Sequence, residues 1–366
     1  MNTKIITKVT NYQSAPDMME LQQRVEGLVK WGHALHALIE ELESDLAQEN
    51  GNPLRAIVQQ AYRTNAWFTP EFSLRSLKSL AQWLDKSALE AWLKSYPELE
   101  SSSKSLKTIG VVMAGNIPAV GFHDLISVLV SGNRALVKLS SDDAVIIPFL
   151  VNVLLDVSQD FKPLVQIGYK FQEIDAVIAT GSNNSARYFD YYFGKYPHII
   201  RKNRNSLAIL NGNETAAQLS ALGDDIFSYF GLGCRNVSKL MVPEGYAFDA
   251  FFESIEVYGE KLMQHNKYMN NYDYHRALYL LNNEPFLTNN FLSLRQSDIL
   301  STPVSVLHYD YYAGTEDLAA KIEADTDRIQ CIVGGKYLPL GTSQQPGLSD
   351  YADGVDTLRF LIGLQD

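Results

Sequence analysis

The stretch Thr108-Ile109-Gly110-Val111-Val112-Met113-Ala114-Gly115-Asn116 decides how this chain is read. A short apolar run breaks on small residues and an Asn. A helical stretch, Ala119 to Val130, follows and closes on Ser131-Gly132-Asn133; a second apolar run, Ala135 to Leu139, comes next. Strand, turn, helix, turn and strand at this spacing make a βαβ unit. The alternation continues with a helix over 144–157, a strand from Asp175 to Ala179 ending in Thr180-Gly181-Ser182, a helix over 184–193 and a strand from Ser206 to Leu210. It predicts a parallel sheet of the dinucleotide-binding kind.

Working outward, a second α/β region is expected beyond Asn211. It holds a helix over 214–230, a loop carrying Cys234, a strand over 237–242 and a helix over 247–265. Late strands, Pro303 to Leu307 and Ile329 to Val333, flank a helix over 315–324. Towards the N-terminus, Leu21, Val25, Leu28, Trp31, Leu35, Leu38, Leu42 and Leu46 recur at three- and four-residue steps, one face of a long helix. Asn52-Pro53 and Thr69-Pro70-Glu71 read as helix starts, and Ser101-Ser102-Ser103 as a link. The expected class is therefore α/β: two α/β domains with parallel-rich sheets and a helical N-terminal region. Residues 1–105 form the helical region packing on the cofactor domain, 106–205 the dinucleotide-binding domain and 206–340 the catalytic domain, with 341–366 returning to the cofactor domain.

Composition narrows the function. An apolar fraction of 46% and a charged fraction of 20% are those of a soluble globular protein. A net charge of −11 argues against nucleic acid as a partner. No apolar run is long enough to cross a membrane, and Met1-Asn2-Thr3-Lys4 opens no signal peptide. Two cysteines of unlike surroundings do not suggest a disulfide framework, so a reducing cytoplasm is the expected compartment. No metal-ligand spacing of His, Cys and carboxylates occurs, and no metal is expected.

Of the two cysteines, Cys234 sits in Phe230-Gly231-Leu232-Gly233-Cys234-Arg235-Asn236-Val237, where glycines give backbone room and Arg235 offers positive charge. Those are the surroundings of a catalytic thiolate. Cys331, in Ile329-Gln330-Cys331-Ile332-Val333, has the apolar neighbours of an inert thiol. Asn116 follows a strand and opens a helix; its amide suits either a developing oxyanion or a plain helix cap. Lys138, with Ser140 and Ser141 behind it, closes a strand where such sheets bind ligands. Gly181-Ser182 stands at a similar strand end, with free N–H groups suited to a pyrophosphate, although no G-x-G-x-x-G fingerprint is present. Arg201, Lys202 and Arg204 form a basic run on an acidic chain, readable as an anion-approach patch or as a solvated charge run. His123 and His308 are candidate acids or bases, with structural roles as the alternative.

Taken in this order, the segments from Lys107 to the C-terminus resemble the aldehyde dehydrogenase superfamily, and within it the acyl-CoA reductases of the bioluminescence type. The stretch from Leu348 to Leu361, Leu-Ser-Asp-Tyr-Ala-Asp-Gly-Val-Asp-Thr-Leu-Arg-Phe-Leu, is the most family-specific. The resemblance implies an aldehyde-dehydrogenase-like fold. It makes Cys234 the nucleophile and Asn116, followed by Pro118, the oxyanion-hole amide. It gives cofactor binding to Lys138, Ser140 and Ser141, and nicotinamide-side contacts to Gly181 and Ser182. Three departures stand out. Arg201 or Lys202 occupies the place of the general base of aldehyde-oxidising relatives. Ser141 replaces the acid that grips the adenosine ribose, which favours NADPH, with NADH as the alternative. Ile299, beside Asp298, falls where a late Glu is expected.

The implied reaction is reduction of an acyl thioester such as acyl-CoA to an aldehyde through a thioester on Cys234. Hydrolysis would need a base to activate water, whereas reduction does not. The rival readings are an acyl-phosphate or semialdehyde-type reductase, a CoA-acylating aldehyde dehydrogenase, and a catalytically inactive binding homologue. By analogy with the superfamily a homo-oligomer is expected.

Overall fold

The computed structural model describes residues 19–44, 51–100, 105–168, 170–171 and 173–364. The opening Met1 to Lys4, Leu46 and the Ser101–Ser103 link lie outside them. The N-terminal region is a layer of helices: α1 (Leu21–Glu43), α2 (Pro53–Thr64), α3 (Pro70–Trp83) and α4 (Lys86–Leu93). The expected caps form. Asn52 accepts the Leu54 N–H at 2.8 Å and Thr69 accepts the Phe72 N–H at 3.3 Å, each ahead of a Pro in the first turn. The α1 face buries Leu28, Trp31, Leu35 and Ile39, with the Trp31 ring 4.8 Å from that of Phe122. Arg24, also on α1, is buried over Gly132. That residue has φ +82°, and a Cβ there would strike the guanidinium, so both the turn and the contact need glycine.

The first sheet comprises β1 (Thr108–Val112), β2 (Arg134–Lys138), β3 (Val165–Ile167), β4 (Ala176–Thr180) and β5 (His198–Arg201). Its order is β3-β2-β1-β4-β5 and every pair is parallel. Helices α5 (Phe122–Val130), α6 (Ile146–Val157) and α7 (Asn183–Phe193) make the crossovers. The chain lays β2 and β3 to one side of β1, then returns to lay β4 and β5 on the other. The topological switch point therefore lies between β1 and β4, where open α/β sheets bind their ligands. Helix α5 begins three residues later than the sequence suggests, because Ala119 has φ +57° and turns the chain. The Asp143 carboxylate accepts the Ala119 N–H at 2.6 Å, and burial pushes that carboxyl up to about 6.

The second sheet takes β6 (Asn205–Ile209) and β7 (Val237–Pro243), joined by α8 (Ala216–Phe227). Helices α9 (Asp249–Ile255), α10 (Gly259–Met263) and α11 (Asn266–Leu281) follow, then β8 (Leu287–Thr288), β9 (Ser293–Gln296), β10 (Val306–Tyr312), α12 (Thr315–Asp325) and β11 (Ile329–Val333). The order is β11-β6-β7-β10-β9-β8, parallel except for β8 against β9. The helix expected over 247–265 is broken by a tight turn, Glu256–Tyr258. The strand expected from Pro303 begins at Val306 instead, because Pro303 lacks an N–H and Ser305 has φ +65°.

One apolar core packs α1 to α6 against the first sheet and includes Leu348, Leu358, Leu361 and Ile362 from the C-terminal stretch, where α13 (Thr357–Gly363) lies. A second core packs α8, α9 and α11 on the second sheet and takes in Phe72 from α3. Helix α3 thus touches both: Ser76 donates to the Pro118 carbonyl at 2.8 Å, and Arg75 pairs with Asp224 at 3.2 Å. Among the described residues no helix is long and apolar enough to cross a membrane.

Candidate active site

The loop that carries Cys234 is held by its own residues. After α8 the chain turns through Tyr229 (φ 52°), Phe230 (φ 57°) and Gly231 (φ 76°). Two bulky residues in the left-handed region need strong local support. Asn236 supplies it. Its buried amide donates to the carbonyls of Asp225 (3.1 Å), Ile226 (3.3 Å) and Ser228 (2.8 Å), and its Oδ1 accepts the Gly233 N–H at 2.8 Å. A Cβ on Gly233 would stand 2.9 Å from that Oδ1, so the glycine is required for the approach. Arg235 Nε donates to the Ser343 carbonyl at 2.5 Å, and Asp225 accepts the N–H groups of Gly341 (2.6 Å) and Ser343 (2.8 Å). The 341–343 segment therefore braces the loop from outside.

Asn116 reaches this loop from the first sheet. It is exposed, and its amide donates to the Leu232 carbonyl at 2.7 Å, two residues before Cys234. The carboxyl end of β1 thus faces the amino end of β7. The neighbouring strand end is in contact too: a Cβ on Gly115 would stand 2.6 Å from Ser140 Oγ, so the turns after β1 and β2 are packed together. The side chain of Lys138, exposed at the end of β2, makes no hydrogen bond or ion pair among the described residues. Ser140 caps the short turn behind it by accepting the Asp142 N–H at 3.2 Å, and Ser141 is exposed. Gly181 and Ser182 emerge from β4, next to β1; Ser182 accepts the Ser185 N–H at 3.2 Å and caps α7. The structure therefore brings Asn116, Lys138, Ser140, Ser141, Gly181 and Ser182 to one edge of the first sheet, with the Cys234 loop across from Asn116.

The charge state of the sulfur differs from the sequence expectation. Cys234 is half-buried, and desolvation pushes its thiol up to about 11. Arg235 and Arg201 oppose the shift; Asp353 and the Cys331 thiol add to it. The expected standing thiolate is corrected on this ground: burial outweighs the cations, and at neutral pH the sulfur carries its proton.

The basic run is also corrected. His198–Arg201 is the edge strand β5, and strand alternation turns Arg201 inward and Lys202 outward. Arg201 is buried at 4% exposure, paired to Asp124 at 2.5 Å and donating to Thr357 at 2.7 Å. A neutralised, buried guanidinium cannot attract a ligand from solution. Arg204 is bound as well, to Asp353 at 3.3 Å and to the Ile329 carbonyl at 3.1 Å. Lys202 alone is exposed. Neither histidine candidate is free. The ring of His123 bonds the Leu348 carbonyl and that of His308 the Ile299 carbonyl, each at 2.9 Å, and burial lowers both.

Three contributors went unread in the sequence. Asn236 is visible there only as the second half of an Arg-Asn pair. Ser206, the second residue of β6, donates to the Cys234 carbonyl at 3.1 Å. Asp353 has φ 59°, and its N–H is tied to Gln330 at 3.0 Å. It is the carboxylate that acts on the thiol, and it comes from the C-terminal stretch.

The family profile described as acyl-CoA reductase (LuxC) matches residues 37–251, more than half of the chain. The chain belongs to this acyl-CoA reductase family. It is accordingly an oxidoreductase acting at the aldehyde and acyl level, with an acyl substrate. Among solved structures it is similar to aldehyde dehydrogenase 21 of Physcomitrella patens (11% identity, TM-score 0.59, covering 94% of this chain and 87% of that one). It is also similar to an aldehyde dehydrogenase of Bacillus cereus (11%, TM-score 0.60, 88% and 73%). A third similar structure is P. syringae indole-3-acetaldehyde dehydrogenase AldA with NAD+ (11%, TM-score 0.57, 86% and 72%). At these identities the likeness shows the aldehyde dehydrogenase fold. No curated protein matches the chain. The acyl-CoA reductase membership agrees with the resemblance carried by Asn116, Lys138, Gly181-Ser182 and Cys234.

Proposed function

We propose that the protein reduces an acyl thioester, such as acyl-CoA, to the aldehyde with NADPH, using Cys234 as nucleophile. The observation that carries this reading is the Asn116 amide lying against the Cys234 loop, across the gap between the two sheets. The Cys234 sulfur attacks the acyl carbonyl and the CoA sulfur leaves. The thiol proton lost by Cys234 balances the one gained by the CoA thiolate, so acyl exchange consumes no net acid or base. The Asn116 amide and the Cys234 N–H would hold the oxyanion, once Asn116 exchanges the Leu232 carbonyl for the substrate oxygen; one such donor is worth about 10²–10³ in rate.

A nicotinamide cofactor fits the first sheet. The edge at the switch point offers the exposed Lys138 ammonium, the exposed Ser141 hydroxyl and the exposed start of α7. Lys138 and Ser141 would hold the adenosine ribose and its phosphate, and Gly181 and Ser182 the pyrophosphate side. Residues 106–205 would serve as the dinucleotide-binding unit and 206–340 as the catalytic unit. When bound, the reduced nicotinamide supplies the hydride that takes the Cys234 thioester to the aldehyde level. Exposed Asp142 beside Ser141 counts against the 2′-phosphate, and Lys138 counts for it. Following NADPH and NADH oxidation against acyl-CoAs of increasing length tests the reading. Oxidation of either cofactor with aldehyde formed supports it, and none with any acyl-CoA overturns it.

A further inference from the structure

Cys331 has no part in the reductase chemistry, yet it is not sealed in the core. It is half-buried on β11, beside Ser206 of β6. The Ser206 hydroxyl lies 3.1 Å from Cys331 Sγ, accepts the Cys331 N–H at 3.2 Å and donates to the Cys234 carbonyl at 3.1 Å. A single hydroxyl therefore stands between the second sulfur and the backbone of the first cysteine. The register of β11 on β6 shifts between Ile329 and Ile332, which puts an irregularity at Cys331 itself. The Arg235 guanidinium acts on both thiols, and the Cys331 thiol is among the groups that oppose ionisation of Cys234. The two cysteines are separated by 97 positions, 234 to 331, yet they share one hydroxyl and one cation.

We propose that Cys331 is a resolving thiol, and that Cys234 and Cys331 form a reversible disulfide when the enzyme meets hydrogen peroxide. The Cys234 thiol gives up its proton as its sulfur attacks one peroxide oxygen. The O–O bond breaks and the leaving hydroxide takes up that proton as water; the sulfur is oxidised by two electrons to a sulfenic acid and the peroxide is reduced. The Cys331 sulfur then attacks the sulfenic sulfur. The S–S bond forms, the S–O bond breaks, and the departing hydroxide takes up the Cys331 proton as water. The bridge blocks the nucleophile and shelters it from sulfinic and sulfonic acid, which thiols do not reverse. An external dithiol returns both cysteines to thiols and is itself oxidised to its disulfide. The proposal takes Cys234 as the reactive thiol of the reading above, but its test does not depend on turnover.

The test treats the full chain and its Cys331→Ser variant with stoichiometric hydrogen peroxide, blocks remaining thiols with N-ethylmaleimide, and reads intact mass and unreduced peptides. The wild type is expected to lose two hydrogens and to yield a peptide cross-linked between Cys234 and Cys331, both reversed by dithiothreitol. Cys331→Ser is expected to add oxygens at Cys234 instead. Where acyl-CoA turnover is measurable, the wild type should recover several-fold more activity than the variant after dithiothreitol. Oxygens accumulating on wild-type Cys234 with no cross-link would overturn the proposal, as would equal recovery in both proteins. A cross-link found in a protein that turns over no acyl-CoA would uphold the thiol pair while counting against the reductase reading.

Discussion

Asn236 Oδ1 accepts the Gly233 N–H at 2.8 Å, so the residue before Cys234 is tied to the one two places after it. The same side chain donates to three carbonyls at the end of α8. Replacing it with Ala leaves several buried groups without partners, at about 1–3 kcal/mol for each one that water cannot reach. Asn236→Ala should therefore lower the urea midpoint and reduce kcat more than it raises KM. Unchanged stability and turnover would show that the left-handed turn at Tyr229 and Phe230 holds itself.

Asp124 neutralises Arg201 inside the protein. Removing one partner of a buried pair leaves an unbalanced charge, at a cost of about 3–5 kcal/mol. Asp124→Asn should destabilise the fold by that order, read by chemical denaturation. Lys202→Ala, on the exposed side of the same run, should leave stability unchanged.

The Cys234 thiol, at about 11, is protonated at pH 7, with a thiolate fraction of about one in ten thousand. Alkylation by iodoacetamide should rise about tenfold per pH unit between 7 and 10 and level near 11. Because the folded value lies above the ordinary one of 9.0, the unfolded chain ionises first. This group's stabilisation is complete below pH 9 and is lost as pH climbs from 9 towards 11. Asp353→Asn removes a charge that opposes ionisation, so alkylation at pH 8 should quicken. A slower rate would make Asp353 a proton acceptor for the thiol rather than a charge that opposes ionisation.

Lys138→Ala should raise the KM for the nicotinamide cofactor with little change in the fold, because the side chain is exposed and makes no bond among the described residues. If the KM for NADPH rises more than that for NADH, the lysine lies near the 2′-phosphate. Equal and unchanged constants would remove it from the cofactor site.

The parallel sheets were legible because buried parallel strands are nearly continuous apolar runs, and Thr108–Val112 and Ala176–Thr180 end on small polar turns. The turns that carry Asn116 and Cys234 were legible for a related reason: glycines there mark a close backbone approach. Strand β5 was hidden, because three cations in four residues resemble a solvated patch until alternation buries Arg201. Helix α11 was hidden because tyrosines, Tyr268, Tyr272 and Tyr279, form its buried face while Leu280 and Leu281 stand exposed, so no aliphatic stripe marks it. Asp353 and Ser206 were out of reach, since each acts on Cys234 only through tertiary contact. The thiol's charge state was misread because Arg235 is adjacent in sequence, while the burial that outweighs it comes from the whole fold.

The most direct test of the central claim is intact mass of the enzyme mixed with excess acyl-CoA in the absence of nicotinamide. The account predicts one acyl addition, mapped to the Cys234 peptide, that disappears as aldehyde when NADPH is added, and no addition in Cys234→Ala. No adduct at all, or an adduct on Cys331, would contradict it.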